Sequence, residues 1–532
     1  MSKLATHTLD GRFAAAAERH PAAPALELGE QVIDYGSLHR AVDDGVRWLQ
    51  SQGVSPGDRV AILLPKGLAF VVVHLACLRY RAVSVPLNPR SSAREVEHIV
   101  DNARPSILVS CESLAALAGD QDMVLIHAHE GPSSPSSQTV ATTKTFATTQ
   151  AVPTTQAVPT TGSMPELGSD LACLLYTSGT TGRPKGVMLS QVALAANDAA
   201  LRSAWEWSAS DRLLHVLPLF HVHGLFVALH GALGSGACCR LSPHFTGDDT
   251  WQQLHQGAIT VFMGVPTMYH RLLASAPKPL PDLSAMRLFS CGSAPLREDT
   301  LSAFEALTGQ RILERYGMTE VGMACSNPYK GERRRGTVGF DLPGVETRLA
   351  DVRDARRIDN VEDGAVGEVM MRSPSLFSGY WPGPEQSAPA PEEFLHHGWL
   401  ASGDLGRRDA DGYLQLVGRA KELIISGGFN LYPQEIEACL NECAGVSEAA
   451  VFGLADDDLG ERLVAAIVPS AERPAQAAAV IAHCREELAH YKCPRQIYTV
   501  AALPRNAMGK LTRAALPATC GLTEAPNDSQ GS

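Results

Sequence analysis

No stretch of the chain approaches the roughly 20 consecutive apolar residues that a membrane-spanning helix needs, so no membrane span is expected. The opening MSKLATHTLDGRFAAAAERHP has no basic region followed by an apolar core, and a secretory signal is therefore not expected either. Positive charge is in deficit. With a formal net charge of −12, the chain is a poor candidate for binding nucleic acid through release of counterions, and its Lys and Arg residues are expected to serve local sites. The 12 cysteines include no CxxC pair, which removes the pattern of a zinc framework or a disulfide scaffold. They are expected to be reduced core residues of a cytoplasmic protein. Cys439 and Cys443, four apart on an expected helix without histidine partners, read as packing rather than as metal ligands.

What is present is a soluble globular composition, 45% apolar and 19% charged, in a chain of 532 residues that is too long for a single core. Between Asp34 and about Val109, segments such as RVAILLP and AVSVPLN alternate with amphipathic stretches, as in an α/β layer with helices covering a mainly parallel sheet. Residues 131–164 differ: they repeat TTQAVP in tandem, nearly without charge or large apolar side chains, and read as a flexible insertion. Order resumes at LACLLYTSGTTGRPKGVMLS and continues through ITVFMGVP, MRLFSCGSAPL and RILERYGMTE. A Gly-rich section from GTVGFDLPG to GYLQLVG then has the shorter period of antiparallel strands and turns. After GRAKELIISGG, two strands (EAAVFGLA, RLVAAIVP), a helix (QAAAVIAHCREELAHY) and a further strand (RQIYTVAA) predict a small α+β domain. The expected architecture is thus α/β, with a large N-terminal domain of layered subdomains and a β-rich third part, followed by a small mobile α+β domain.

YTSGTTGRPKG, Tyr176 to Gly186, packs hydroxyls, glycines and a lysine into a loop directly after an apolar run. Such a loop offers backbone N–H groups, hydroxyls and a cation to a polyphosphate. It is not a Walker loop, because Lys185 is followed by Gly186 rather than by Ser or Thr.

Taken with PLFHVHG, ERYGMTE, ASGDLG, GRAKELIISGGFNLYPQEIE and PRNAMGK, in that order, the sequence resembles the acyl-adenylate-forming superfamily of acyl-CoA synthetases, adenylation domains and luciferases from about residue 30 to 517. The resemblance implies a carboxylate attacking the α-phosphate of MgATP to give acyl-AMP and pyrophosphate, then a thiol displacing AMP. Both halves move negative charge, so fixed cations and backbone donors are the expected catalysts. By resemblance, Thr177, Ser178, Gly179, Thr180, Thr181 and Gly182 hold the β- and γ-phosphates with Lys185 nearby, and Tyr316 packs on adenine. Thr319 contacts the α-phosphate, Glu320 is the magnesium ligand, and Asp404 and Arg419 contact the ribose. Lys510 bridges the substrate carboxylate and the α-phosphate. The implied division is residues 1–418 for ATP and acyl binding, a hinge over 419–422 with Lys421, and a lid domain over 423–520 that carries Lys510, with 521–532 as a tail. The lid would swing to bring Gly427 and Gly428 against the pantetheine of coenzyme A.

Which carboxylate is activated turns on VFMGVPTMYHRLL. ITVFM reads as a parallel strand ended by Gly264, and Pro266 suits the first turn of a helix carrying Arg271. Ligands of such folds sit at the carboxyl ends of strands, and helical side chains lean toward the N-terminus, so Arg271 is expected to face the substrate crevice. An exposed surface ion pair is the competing reading. Ser293 lies just past the end of the next strand and Arg287 at its remote beginning, which predicts that Arg271 and Ser293 share a pocket and Arg287 does not. PLFHVHGL, MGVPTMYHRLL, LERYGMTE and SNPYKGERRRGTVG are similar to the malonyl-CoA synthetases. There the matching Arg and Ser hold the distal carboxylate and the first histidine, His221, lines the acyl pocket. Where relatives commonly have a Ser-Gly-Ser turn, this chain has Ser290, Cys291, Gly292 and Ser293.

The expected partners are therefore a small dicarboxylic acid, ATP, Mg2+ and coenzyme A, with oligomeric state left open. Malonate leads, methylmalonate follows, and the alternatives are a ligase for another short acid such as oxalate, a stand-alone adenylation domain loading a carrier protein, and a nucleotide sensor without turnover. Intact Glu320, Asp404 and Lys510 argue against the sensor.

Overall fold

The computed structural model describes residues 8–118, 123–125, 170–178, 184–256, 258–351, 361–362, 364–383, 394–426, 429–456, 459–470, 474–505 and 511–522. The 131–164 insertion lies outside the described residues. The chain divides into two compact units, one of Met1–Thr347 with Met371–Leu400 and the other of Arg348–Met370 with Ala401–Ser532.

In the larger unit the strands Arg212–His215, Val261–Gly264, Leu288–Cys291 and Ile312–Met318 run parallel and side by side at the centre of a sheet with nine described strands. Beyond them, Gly322–Ser326 folds back antiparallel on Ile312–Met318. Apolar side chains on most positions of these strands reflect burial on both faces, the pattern of a helix-covered parallel sheet. A second sheet carries Arg59–Ile62, Val83–Pro86 and Ile107–Ser110 in parallel, and ends in the antiparallel hairpin Leu171–Ser178 and Pro184–Ser190. The expected α/β architecture is thus present, strand by strand, where apolar runs alternate with amphipathic ones.

The helix Pro266–Ala274 starts with proline in its first turn, where the missing N–H has no helical acceptor to lose. Tyr269 and Leu272 face a core that also contains Phe262, Phe289 and Phe304. Aromatic edges meet faces there: the Tyr269 and Phe304 rings lie 5.3 Å apart at 88°. Arg287, at the start of its strand, pairs with Asp211 and donates to the Trp205 carbonyl at 2.8 Å, a structural anchor.

In the smaller unit, Val446–Asp456 and Gly460–Pro469 form a long antiparallel pair, and Gln496–Thr499 adds in parallel. Helices Pro433–Glu442 and Ala477–Glu487 pack on a core that includes Cys439, Cys443, Cys484 and Cys493. Eleven of the twelve cysteines are buried and all are free thiols, in keeping with a packing role. Cys443 caps the end of its helix rather than extending it.

The turn between Ile312–Met318 and Gly322–Ser326 is clamped by Asn197, whose amide donates to Met323 O at 2.8 Å and accepts from Met323 N at 3.1 Å. Gly322 has φ +72°, and a Cβ there would stand 2.5 Å from Asn197 Oδ1. Replacing Asn197 with Ala strands a buried N–H and a buried carbonyl. Asn197→Ala is expected to lower the stability of this unit by about 1 to 3 kcal/mol, seen as an earlier unfolding transition in calorimetry; an unmoved transition would refute the clamp.

Candidate active site

The hairpin places Thr177 opposite Lys185 and Ser178 opposite Pro184, bracketing the loop that was expected to hold phosphates. Gly179, Thr180, Thr181 and Gly182 lie outside the described residues. The exposed Lys185 ammonium stands 5.5 Å from the centre of the Tyr380 ring, a cation–π arrangement. Tyr380 in turn donates its hydroxyl to Glu320 Oε1 at 2.8 Å. The backbone of Tyr380 bridges Val187, so the chain after Ser378 is laced onto the hairpin. Lys185, Tyr380 and Glu320 thereby form one connected group of cation, phenol and carboxylate. Burial, and then Glu320, push the Tyr380 hydroxyl above its ordinary range, which keeps it a donor at neutral pH.

Glu320 is buried, at 8% exposure, in the turn after Thr319, which is itself half-buried. Its carboxylate suits Mg2+. That ion takes one or two protein carboxylates and fills its other positions with water and substrate phosphate, and no cluster of three metal-binding side chains occurs among the described residues. Tyr316 is buried on the preceding strand. Tyr380 was missed by sequence reasoning because SGYW reads only as the end of a strand and turn.

In the smaller unit, strands Trp399–Arg408 and Leu414–Arg419 pair with Asp404 directly opposite Arg419. Arg419 Nε donates to Asp404 Oδ1 at 2.9 Å, and Asp404 is buried at 7% exposure. Gly403 N–H donates to Glu368 at 2.9 Å and fixes the turn before it. A carboxylate oriented by one guanidinium keeps acceptor capacity for hydroxyls. Lys421 is exposed on the short helical turn Ala420–Glu422. Gly427, Gly428 and Lys510 lie outside the described residues.

The residues expected on the acyl side lie at and beyond the carboxyl ends of the central strands of the larger unit. Ser293 follows the Leu288–Cys291 strand with φ +72°, a left-handed conformation that a non-glycine residue adopts at a cost of about 1 to 3 kcal/mol. Its hydroxyl stands 3.3 Å from His223 Nδ1. Ser293 is thus joined to His223; His221, which the resemblance assigns to the acyl pocket, is half-buried with its ring 4.4 Å from that of Phe220. Burial, followed by nearby Arg315, His215 and His221, holds the His223 pKa well below its ordinary value, so the ring is neutral. His215 accepts at its backbone carbonyl from Lys66 Nζ, 2.7 Å away, and its own Nε2 lies 2.8 Å from Gly224 O. Burial pushes Lys66 down to about 7. Cys291 is wholly buried in the core below. Arg271 is exposed on the last turn of its helix.

The AMP-binding enzyme family matches residues 13–381, and the AMP-binding enzyme C-terminal domain matches residues 435–510. The chain belongs to the AMP-binding enzymes. It is similar to the malonate–CoA ligase of Arabidopsis thaliana, 35% identical over 87% of this chain and 78% of the relative. The oxalate–CoA ligase of the same plant is 32% identical over 95% of this chain and 97% of the relative. The crystal structure of ATP-bound MatB from Rhodopseudomonas palustris superposes with a TM-score of 0.82 at 35% identity, over 96% of this chain and 99% of that one. This AMP-binding enzyme is an acid–CoA ligase that works through an adenylate, with ATP, coenzyme A and a small acid as its substrates. No described helix is long and apolar enough to cross a membrane.

Next to Tyr316 on the same face of the motif strand is Glu314, in a cleft lined by Ile312, Asn327 and Arg333. Burial raises its carboxyl to about 8, only partly offset by the Gly336 N–H. Folded Glu314 therefore holds its proton up to about pH 8, whereas unfolded it releases it near its ordinary 4.5. Native protein binds the extra proton between those values, so stability falls as pH rises through that window. Glu314→Gln removes this slope. The variant's gain in melting temperature over wild type is expected to widen from pH 5 to pH 8, and a constant difference would contradict the assignment.

Proposed function

We propose that the chain ligates malonate to coenzyme A, with methylmalonate as the next substrate, through malonyl-AMP. The observation that supports this choice is that cations stand near the strand ends from which Ser293 follows, Arg315 against Gly292 and Lys66 on the His215 carbonyl. His223, Lys66 and Arg315 stand at or near the carboxyl ends of the parallel strands, and neither Lys66 nor Arg315 pairs with an acidic side chain among the described residues. A rim that is cationic and apolar suits an acid that keeps one carboxylate while the other reacts. Ser293 and Arg271 are the groups offered to that second carboxylate, and the resemblance to malonate–CoA ligase at 35% identity supports the same acid.

In the first half-reaction an oxygen of the reacting carboxylate bonds to the α-phosphorus, and the bond from that phosphorus to the pyrophosphate oxygen breaks. Lys185 and the Thr- and Gly-rich loop, Thr177 to Gly182, receive the phosphates, while Thr319 donates near the α-phosphate. Tyr380 orients Glu320 through its 2.8 Å hydrogen bond, which presents the carboxylate to Mg2+. Mg2+ supplies charge neutralisation on the phosphates when bound. Tyr316 packs on adenine, and Asp404 with Arg419 accepts the ribose. Lys510 neutralises charge between the attacking carboxylate and the α-phosphate. In the second half the thiol sulfur bonds to the acyl carbon and AMP leaves with the former carboxylate oxygen. The hinge at 419–422, with Lys421, exchanges Lys510 for Gly427 and Gly428 between the halves, from a domain of residues 1–418 to one of 423–520.

Oxalate is the rival acid, since a relative at 32% identity is an oxalate–CoA ligase. Competition among malonate, methylmalonate, oxalate, succinate and acetate, each with ATP and coenzyme A, is expected to show the highest kcat/KM for malonate. A clear preference for oxalate or acetate would overturn the proposal. Lys510→Ala is expected to abolish acid-dependent pyrophosphate release while thioester formation from supplied acyl-AMP survives. Equal loss of both would refute the division of labour.

A further inference from the structure

The loop expected to receive phosphates springs from two strands that are held at their roots from outside the hairpin. Tyr176, directly opposite Gly186 in the pairing of Leu171–Ser178 with Pro184–Ser190, donates its hydroxyl to Asn102 Oδ1 at 2.7 Å. Burial pushes that hydroxyl above its ordinary range, so it stays a donor at neutral pH. On the other strand, the Pro184 carbonyl accepts from His98 Nε2 at 3.3 Å. Asn102 and His98 belong to one helix, Ala93–Ala103, and stand four residues apart on the same face. That face therefore grips both strands at the residues next to Thr177 and Lys185.

The end of this helix is itself tied down. An α-helix leaves its last carbonyls without internal donors, and here other segments supply them. Arg59 donates from Nε to Ala103 O at 3.1 Å and from Nη2 to Arg104 O at 2.7 Å, and Trp381 Nε1 donates to Asn102 O at 2.9 Å. The Arg59 guanidinium carbon lies 5.8 Å from the centre of the Trp381 ring. Trp381 closes the circuit, because its backbone N–H donates to Gly186 O at 2.7 Å. A Cβ on Gly186 would stand 3.1 Å from both Trp381 Cβ and Tyr176 Cζ, so Gly186 is wedged between the two residues. Asn102 is where these ties converge. Its side chain receives the hydroxyl of one strand, and its carbonyl receives the indole whose backbone holds the other.

On the reading of Thr177 to Gly182 and Lys185 as the group that receives the β- and γ-phosphates, we propose that Asn102 is a positioning residue for ATP: through Tyr176 and Trp381 it fixes both roots of the loop and so sets where the loop's donors meet the polyphosphate. A misplacement of about 1 Å between a substrate and the groups that hold it costs on the order of 100-fold in rate. Replacing Asn102 with Ala leaves the Tyr176 hydroxyl without its acceptor, while the backbone carbonyl that receives Trp381 stays. One root is released and the other is kept. AMP and acyl-AMP carry no β- or γ-phosphate, so their binding is indifferent to where this loop stands.

The test measures Kd for ATP and for AMP, pyrophosphate release, thioester formation from supplied acyl-AMP, and melting temperature, in wild type, Asn102→Ala, Asn102→Asp, Tyr176→Phe and Lys185→Ala. Asn102→Ala is expected to weaken ATP binding by about 10-fold and to lower kcat/KM for ATP by at least as much, with AMP affinity and the thioester half changed by less than about twofold. Tyr176→Phe is expected to do the same, and the double variant no more than either alone, because both remove one bond. Asn102→Asp keeps an acceptor oxygen and is expected to recover most of the ATP affinity. If Asn102→Ala does not fold, Tyr176→Phe decides, because it removes a single oxygen. ATP and AMP binding weakened alike, both half-reactions lost together with a fallen melting temperature, or unchanged ATP binding would each overturn the proposal. Unchanged ATP binding in Lys185→Ala refutes the phosphate-loop reading itself, whereas a loss there that Asn102→Ala and Tyr176→Phe do not share leaves that reading standing and removes this inference.

Discussion

Four parallel strands held in one register decide where the groups proposed to bind the acid stand. Gly264 lies opposite Cys291, and Cys291 opposite Glu314, so the segments that follow leave the sheet at a common edge. Val265 then starts a helix, Gly292 and Ser293 make a tight turn, and the third strand simply continues through Arg315 and Tyr316. Beneath them Phe262, Tyr269, Phe289 and Phe304 pack edge to face with ring centres between 5.1 and 6.0 Å apart. Each such side chain contributes about 1.5 to 3 kcal/mol when fully buried, so the edge rests on a floor that resists displacement. That stiffness allows Ser293 to be kept in a left-handed conformation.

Charge is handled differently on the two sides of this edge. At the start of the strands, Arg287 and Asp211 neutralise one another and the pair is part of the scaffold. At their ends, cations gather without acids: Lys66 leans on a backbone carbonyl and Arg315 on a glycine. Paired charge fixes a fold, while unpaired buried charge is tolerated where a ligand completes it. On the phosphate side the same logic runs in reverse, with the Glu320 carboxylate steadied by the neutral Tyr380 hydroxyl and so kept available to a cation.

Much of this was legible in the sequence. Apolar runs flanked by turn residues located the central strands, Pro266 located a helix start, and the ordered motifs singled out Asp404 and Arg419, which face each other across two strands. Arg287 was rightly separated from the acyl edge by strand polarity. Less legible was anything that depends on which side chain closes on which across the sheet. Arg315 lies inside ERYGMTE, a stretch whose Tyr316, Thr319 and Glu320 the resemblance assigns to the nucleotide. The signal that marks it is the period of two along a strand, which turns Arg315 away from Glu314 and Tyr316 and toward Gly292. The two histidines two apart in FHVHG look equivalent until helix geometry buries His223 beside Ser293 and leaves His221 half-buried. Arg271 carries the expected charge but on an exposed turn, a difference of rotation about the helix axis that periodicity alone leaves open.

The central claim is the proposed one, that the acid ligated to coenzyme A is a dicarboxylate whose second carboxylate is held by Ser293 and Arg271. A crystal structure with a non-hydrolysable malonyl-adenylate analogue tests it most directly. The account places the free carboxylate about 2.7 to 2.9 Å from Arg271 nitrogens, with the Ser293 hydroxyl donating to the same group. A free carboxylate pointing to solvent, out of reach of both Ser293 and Arg271, would contradict it.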